Sequence, residues 1–178
     1  MRTSPRLPAE YFEARYVVPQ PGRTLIVGSK LFGEREDRRE RYKDVVGVDM
    51  QEGPGVDRVL NLEDPLPDDL GRFDHVECMS VLEHSRRPWL LAANIQKLMR
   101  KGATIYLSVP FVWRVHDYPG DYFRFTQDGV QVLFPAIKWH RMANASDVLK
   151  MNNTVPTIDE YGHPYMARTE VLGFGVRV

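Results

Sequence analysis

With 178 residues, of which 43% are hydrophobic, the chain is long enough to bury one core but too short for two independent ones. Its 24 basic and 24 acidic side chains leave no net charge, which argues against nucleic acid or a membrane surface as a partner. One cysteine excludes an internal disulfide and a cysteine-based zinc site, and no apolar run approaches the roughly 20 residues that span a bilayer. We therefore expect a single domain over residues 1–178, in the cytoplasm.

The predicted elements start with an N-terminal cover segment, residues 1–23, in which AEYFEARY predicts one or two helical turns. Short apolar or β-branched runs follow, each long enough for a strand and too short for a buried helix. They lie at 24–28, 45–49, 58–62, 74–79 and 104–109. These runs predict the strands of a core sheet.

Two segments between these runs are predicted to be helical. GEREDRRERYKD is almost wholly charged and predicts a solvated helix face. SRRPWLLAANIQKLMRKG has Pro88 near its start, apolar residues along one face and Gly102 where a C-terminal cap belongs. Strands that alternate with helices favour a mainly parallel, doubly wound α/β sheet.

The closing region, residues 135–178, differs from the core. IKWHRM and ARTEVLGFGVRV are strand candidates, and the segment between them contains Pro, Asn and Gly. This pattern predicts an antiparallel hairpin. Together with the earlier runs it predicts a mostly parallel, seven-stranded sheet with a C-terminal antiparallel hairpin.

The first strand candidate runs into the turn TLIVGSKLFGER, and Gly28 marks its end. Asp49 ends the second candidate about 20 residues later, the spacing at which a carboxylate can accept the hydroxyls of a ribose. A turn-capping role for Asp49 is the alternative. Gly28 and Gly33 also have the separation of a phosphate-binding loop, but Glu34 and Arg35 stand where that loop needs lysine and a hydroxyl residue. The sequence therefore argues against nucleotide hydrolysis.

Three stretches resemble the class I S-adenosylmethionine-dependent methyltransferases, in particular small bacterial ones. They are VVGVDM, LNLEDPLPDDLGRFDHVECMSVLEHSRRPW and IQKLMRKGATIYLSVPF, in the order and at the spacing of that family, within about residues 24–134. A further block, HDYPGDYFRFTQDG, is similar to a loop in a subset of these enzymes, including ones associated with sugar or cell-envelope methylation. The resemblance implies a Rossmann-like fold, S-adenosylmethionine as cofactor, and methyl transfer to an oxygen or nitrogen of a small acceptor that could contain a sugar.

Matched position by position, the resemblance implies a set of cofactor contacts at the ends of the predicted strands. The candidate cofactor residues are Gly28, Ser29, Lys30, Asp49, Met50, Asn61, Leu62, Met79 and Ser80. The turn after the first strand would hold the aminoacyl part, and the end of the second strand would hold the ribose and flank the adenine. The third strand would meet the adenine edge, and the fourth would line the sulfonium region.

The turn after the first strand departs from the family pattern, an acidic residue two before the first glycine and then Gly-x-Gly-x-Gly. Ile26 replaces the acid, and Lys30 stands at the second glycine. A side chain there narrows the approach of the backbone to a ligand, and the missing carboxylate removes a partner for an ammonium group. Lys30 could contact the cofactor carboxylate or repel the sulfonium. Two alternatives stay open: a catalytically degenerate binding or scaffold subunit, and a different nucleoside-containing ligand.

Candidate acceptor residues follow the fourth and fifth predicted strands. His116 is the candidate general base, because histidine accepts protons near neutral pH and lies in a loop dense in polar and aromatic groups. The candidate acceptor-binding residues are Glu83, His84, Asp121, Tyr122 and Arg124. The alternative is a loop stabilised by its own hydrogen bonds and tyrosine packing.

No metal site is predicted, since His140 and His163 are isolated from other ligand types. The short region after Pro135 leaves little room for a separate substrate domain. The N-terminal segment or a partner chain is therefore a hypothesis for what completes the site, and a homo-oligomer is a further hypothesis for the assembly.

Overall fold

The computed structural model describes residues 7–33, 36–113, 115–116, 120–145 and 170–178. The strands are β1 (Arg23–Val27), β2 (Asp44–Asp49), β3 (Arg58–Val59), β4 (Phe73–Met79), β5 (Met99–Pro110), β6 (Ile137–Asn144) and β7 (Glu170–Arg177). They form one seven-stranded sheet in the order β3-β2-β1-β4-β5-β7-β6. The first five strands pair in parallel and β7 is antiparallel to both β5 and β6, which confirms the predicted fold class.

The helices cover both faces of this sheet. They are α1 (Leu7–Tyr16), α2 (Pro88–Leu98) and α3 (Gln127–Leu133), and 3₁₀ turns lie at Arg38–Arg41, Asp68–Leu70 and Leu82–His84. Alternate residues of a strand point to opposite faces. In β5, Ile105 and Leu107 join the core with Ile95 of α2, whereas Tyr106 packs on Phe12 of α1. In the part of the chain that is described, no helix has both the length and the apolar character to cross a membrane.

The parallel strands create a crevice between β1 and β4. The chain passes from β1 outward through β2 and β3, then returns to place β4 on the other side of β1. Strand order reverses there, so connections leave in opposite directions and the carboxyl ends of the two strands stay uncovered. Gly28 and Ser80 directly follow these strands, and Asp49 ends the neighbouring β2.

Three details of the sequence prediction are wrong. α2 ends at Leu98 with Met99 as its C-cap, and Gly102 lies within β5, with φ +83°, where β4 and β5 shift register. The third strand contains only Arg58 and Val59. In its described part, the charged segment forms one 3₁₀ turn and no α-helix, since it has no apolar stripe with which a helix could pack. His163, in the connection between β6 and β7, lies outside the described residues.

Candidate functional site

A cavity of about 720 Å³ lies at the crevice, within the range of about 300–1,000 Å³ that is usual for small-molecule sites. Most of the candidate residues from the sequence line it: Gly28, Lys30, Asp49, Met50, Asn61, Leu62, Met79, Ser80, Glu83, His84 and His116. The other candidates lie outside this lining: Ser29, Asp121, Tyr122 and Arg124. The fold thus gathers residues from five separate segments around one space.

The turn after β1 is held close to β4 by a glycine. Gly28 has φ +71°, a left-handed conformation that residues with a Cβ adopt only at a cost. A Cβ on Gly28 would lie 2.4 Å from Val81 Cγ2, so a larger residue would push the turn away from the cavity wall. The backbone N–H groups of Gly28 and Ser29 both donate to the Val48 carbonyl, at 2.9 and 3.1 Å. These contacts fix the turn between the ends of β2 and β4.

Lys30 stands where the family pattern has its second glycine, and the structure shows how the side chain is accommodated. It runs along Gly53, where a Cβ would lie 2.9 Å from Lys30 Cε, and Nζ donates to Gln51 Oε1 at 2.9 Å. On the other side of the turn, a Cβ on Gly55 would lie 2.4 Å from the Ser29 carbonyl oxygen. Glycines in the loop after β2 therefore permit the close approach for which the family pattern uses glycines in the turn.

The Asp49 carboxylate is oriented by two backbone groups. Oδ2 accepts from the Lys30 N–H at 3.2 Å and Oδ1 from the Gln51 N–H at 3.0 Å. The turn-capping contacts expected from the alternative interpretation are thus present. A carboxylate accepts about four hydrogen bonds, so both oxygens of this half-buried residue keep capacity for a ligand in the cavity.

The residues predicted at the adenine end form one side of the cavity. Met50 is exposed over 45% of its surface, and Leu62 is buried, with its carbonyl accepting from Asn94 Nδ2 at 2.9 Å. Asn61 Oδ1 accepts from the Glu63 N–H at 3.1 Å, which orients the amide. A flexible apolar side chain and an oriented amide therefore flank this end of the cavity.

Ser80 has an unusual backbone conformation at the end of β4. Its φ of 55° is the only positive value of a non-glycine residue in the described part of the chain. The Ser80 N–H donates to the Ser108 carbonyl of β5 at 2.9 Å, which holds the residue in place. Such backbone strain clusters at functional sites. The strain supports a functional role for the wall beside Met79.

Two histidines and a glutamate meet on the other side of the cavity. Glu83 and His84 lie in the 3₁₀ turn after β4, and His116 lies in the loop after β5. The two imidazole rings pack edge-on with centroids 4.8 Å apart, and His84 Nε2 lies 3.8 Å from Glu83 Oε1. Burial raises the pKa of the Glu83 carboxyl to about 8.

Three of the acceptor-binding candidates hold the loop after β5 in place. The Asp121 side chain is 1% exposed and forms an ion pair with Arg124, whose hydrogen bonds hold the pKa of the Asp121 carboxyl well below its usual range. Asp121 Oδ2 also accepts from the His116 N–H at 2.9 Å. The Tyr122 N–H donates to the Glu83 carbonyl at 2.8 Å. The contacts agree with the alternative of a self-stabilised loop, and they also position His116 and Glu83.

Comparison with known proteins identifies the fold. No family model matches the sequence, and no curated protein is significantly similar to it. The chain is similar to the structure of Burkholderia thailandensis 1,6-didemethyltoxoflavin-N1-methyltransferase with bound S-adenosylhomocysteine, with TM-score 0.65 and 16% identity over 97% of this chain and 77% of that one. It is also similar to a chain in the complex of the Haloferax volcanii Trm112 methyltransferase activator with a methyltransferase, with TM-score 0.63 and 15% identity over 97% and 89%. The chain has the class I methyltransferase fold.

The class I methyltransferase fold also occurs in a protein named for another reaction. The [4+2]-cyclase SpnF matches this chain with TM-score 0.61 and 14% identity, over 97% of this chain and 80% of that one. A fold hosts more than one chemistry, so the reaction has to be argued from the residues of the cavity.

This class I methyltransferase fold contains a buried charge network that the sequence analysis missed. Glu77, in β4, is fully buried and accepts two hydrogen bonds of 2.5 Å from Arg38. The Tyr42 hydroxyl donates to Glu77 Oε1 at 2.6 Å. Arg38 also donates to both oxygens of Glu13 in α1, at 2.8 and 3.1 Å. Glu13 and Arg38 line the cavity, so the network ties α1 and the cavity wall to the sheet.

A second carboxyl that sequence reasoning missed lies on the wall formed by β5 and β7. Glu170 begins β7, and Ser108 Oγ of β5 donates to its Oε2 at 3.2 Å. Burial raises the pKa of Glu170. α1 adds Ala9 and Glu10 to the lining, the kind of contribution that one hypothesis assigned to the N-terminal segment.

Proposed function

We propose that this protein transfers the methyl group of S-adenosylmethionine to an oxygen or nitrogen atom of a small acceptor. The observation that carries the proposal is the cavity at the switch point of the sheet, because every candidate cofactor residue except Ser29 lines it. In parallel α/β sheets this crevice is where ligands bind. The similar Burkholderia thailandensis enzyme, crystallised with S-adenosylhomocysteine, supports the choice of cofactor.

The residues of the cavity fit this cofactor. Gly28 lines the crevice and Val81 leaves no room for a side chain there, so the Gly28 backbone is open to a ligand, which suits the aminoacyl part. Asp49 would accept the ribose hydroxyls, since two backbone N–H groups already orient its oxygens. Met50 would flank the adenine, with Asn61 and Leu62 at the adenine edge.

Charged groups on the same wall suit the two charges of the aminoacyl part. Arg38 offers a cation to its carboxylate, and Glu13 offers a carboxylate to its ammonium group. Glu13 would thereby take over the part that the family pattern gives to the acid replaced by Ile26. The Lys30 side chain leaves the crevice accessible because it extends toward Gln51.

When bound, S-adenosylmethionine would supply the methyl group of its sulfonium ion to the acceptor, and the electron pair of the broken carbon–sulfur bond would stay on sulfur. The protein's part is to place the acceptor atom in line, which can supply much of the rate enhancement. His116 is the proposed group that takes the acceptor's proton. Asp121 Oδ2 lies 3.2 Å from its Nδ1, which favours Nε2 as the atom that would accept the proton.

The proposed acceptor is a small molecule. We propose that it contains a sugar, because residues 116–129 resemble a loop of methyltransferases associated with sugar methylation. Glu83 and His84 line the acceptor side of the cavity, next to Ser80. Tyr122 and Arg124 would act by holding the loop that carries His116, since they lie outside the lining.

Calorimetric titration with S-adenosylmethionine and S-adenosylhomocysteine tests the proposal. We expect both to bind with one site per chain. A well-folded protein that binds neither would reject the proposed function and favour the degenerate subunit. Binding of another nucleoside in their place would favour the different-ligand alternative.

The Asp49→Ala variant is expected to bind S-adenosylhomocysteine more weakly by about 1–3 kcal/mol, the scale for losing a charged hydrogen-bond partner. The loss arises because the ribose hydroxyls would lose their acceptor. Titration calorimetry on the two proteins measures the difference.

Asp44→Ala is the matched control, because Asp44 is exposed and lies at the opposite end of the same strand. Its affinity should equal that of the wild type. Asp49→Asn keeps an acceptor for one of the two turn N–H groups, and so helps to separate loss of charge from collapse of the turn. Unchanged affinity in Asp49→Ala would remove the ribose role.

A further inference from the structure

We propose that Glu83, His84 and His116 form a binding site for a divalent transition-metal ion on the acceptor side of the cavity. One ligand atom from each residue, a carboxylate oxygen and two ring nitrogens, lies within 4.8 Å of the others. The residues come from two segments, the turn after β4 and the loop after β5, which only the fold brings together. Two imidazoles and one carboxylate suit ions such as Zn²⁺ or Fe²⁺ better than Mg²⁺.

Glu83 has the environment of a carboxylate that needs a cation. It is 1% exposed, and its Oε2 accepts no hydrogen bond from the described residues. Its Oε1 lies 3.8 Å from His84 Nε2, beyond hydrogen-bond distance. Burying a carboxylate oxygen without a donor is costly, and coordination of a cation by Oε2 would compensate for that cost.

Both histidines are oriented through Nδ1, the usual arrangement for imidazoles that bind a metal through Nε2. His84 Nδ1 lies 2.6 Å from the Gly120 carbonyl oxygen. Because a carbonyl only accepts, this Nδ1 carries the hydrogen and Nε2 carries the lone pair. His116 Nδ1 lies 3.2 Å from Asp121 Oδ2, and Arg124 fixes that carboxylate by an ion pair. The ligand atoms are therefore Nε2 of each ring and a Glu83 oxygen.

The spacing of the cluster suits an ion after a small contraction. An ion about 2.1 Å from each ligand atom needs those atoms roughly 3–3.5 Å apart. Side-chain rotation of the two edge-packed rings would supply the required movement of about 1 Å. All three residues line the cavity together with Met79 and Ser80, so an ion here has access to an acceptor.

The consequence for the reaction rests on the proposed function, whereas metal binding itself does not. An acceptor hydroxyl bound to the ion would have a lowered pKa and lose its proton to water. With the ion bound, His116 Nε2 is a ligand and does not accept the proton itself, so the ion replaces His116 in promoting loss of that proton. Both roles of His116, as general base and as metal ligand, use its Nε2 atom.

Metal titration of the untagged chain, first stripped with a chelator, tests this site. We expect one equivalent of Co²⁺ to bind, with visible absorption bands typical of coordinated imidazole, and Zn²⁺ to displace it. His84→Ala and His116→Ala should each weaken Zn²⁺ affinity at least tenfold in calorimetry. Asp121→Asn should weaken it about 10–100-fold, as for other outer contacts of metal-bound histidines.

The matched control is His140→Ala, because His140 is an exposed histidine of β6 outside the cluster. Its metal affinity should equal that of the wild type. No stoichiometric binding, or equal binding by the His84→Ala, His116→Ala double variant, would overturn the proposed site. S-adenosylhomocysteine titration of the same samples keeps the two proposals apart: metal binding without nucleoside binding rejects only the methyltransferase function, and the reverse rejects only the metal site.

Discussion

The Arg38→Met variant is expected to lose about 3–5 kcal/mol of unfolding free energy, the scale for removing one partner of a buried ion pair. Glu77 is fully buried and, among the described residues, would keep only the Tyr42 hydroxyl as a donor. Glu13 would lose its bidentate contact as well. Urea denaturation followed by circular dichroism measures the difference from the wild type.

Two further variants separate the buried charge from a general effect of the substitution. Arg39→Met changes the next arginine, which pairs with Asp37 and Asp57 near the surface, so it should cost less than about 1 kcal/mol. Adding Glu77→Gln to Arg38→Met should restore part of the stability, because the unpaired charge is removed. Equal losses in Arg38→Met and Arg39→Met would contradict the account.

The same network brings carboxylates near the first turn, where the family pattern has an acid and this chain has Ile26. Ile26 of β1 pairs with Glu77 of β4, so a carboxylate lies one strand away, two residues before the level of Gly28. Arg38 connects that carboxylate to Glu13 on the cavity wall. A carboxylate is therefore present near the position where the first turn lacks one, and Arg38 of the charged segment pairs with it.

The sheet could be predicted because short stretches of sequence determine its strands. Runs of apolar residues such as those ending at Asp49 and Met79 have the length of strands, and the helical segments between them favour a parallel order. The short β3 and the position of Gly102 were not predictable, since both depend on how β3 and β5 pair with their neighbours. The candidate residues at strand ends could be predicted from the sequence because a parallel sheet brings the carboxyl ends of its strands to one edge.

Contacts between distant side chains were not predictable from spacing. His75 and Glu77 occupy alternate positions of a strand that the fold buries on both faces. Glu77 was the available signal in the sequence, because a buried carboxylate needs a basic partner. The sequence does not state which arginine of the charged segment provides it. Likewise, Asp121 and Arg124 neutralise each other within the loop, which their residue types do not distinguish from binding an acceptor.

His75 is expected to make the protein less stable in acid, by up to about 3 kcal/mol between pH 6.5 and pH 4. Burial lowers its pKa from 6.5 to about 4, which outweighs the attraction of the Glu77 carboxylate. A protonated ring would have an Nε2–H for which the described residues provide no acceptor. Below pH 6.5 the unfolded chain binds a proton that the folded chain does not, so stability is full above that pH and falls as the pH decreases toward 4.

Unfolding free energies measured across this range, for the wild type and for His75→Gln, isolate the contribution, because the other titrating groups are common to both proteins. Gln can keep a hydrogen bond to Thr104 Oγ1, which lies 2.7 Å from His75 Nδ1, but it does not titrate. The variant should lose less stability in acid, and His140→Gln, at an exposed site, should follow the wild type. Parallel curves for wild type and His75→Gln would contradict the prediction. A difference would show that His75, enclosed within β4, stays neutral in the folded protein as a structural group.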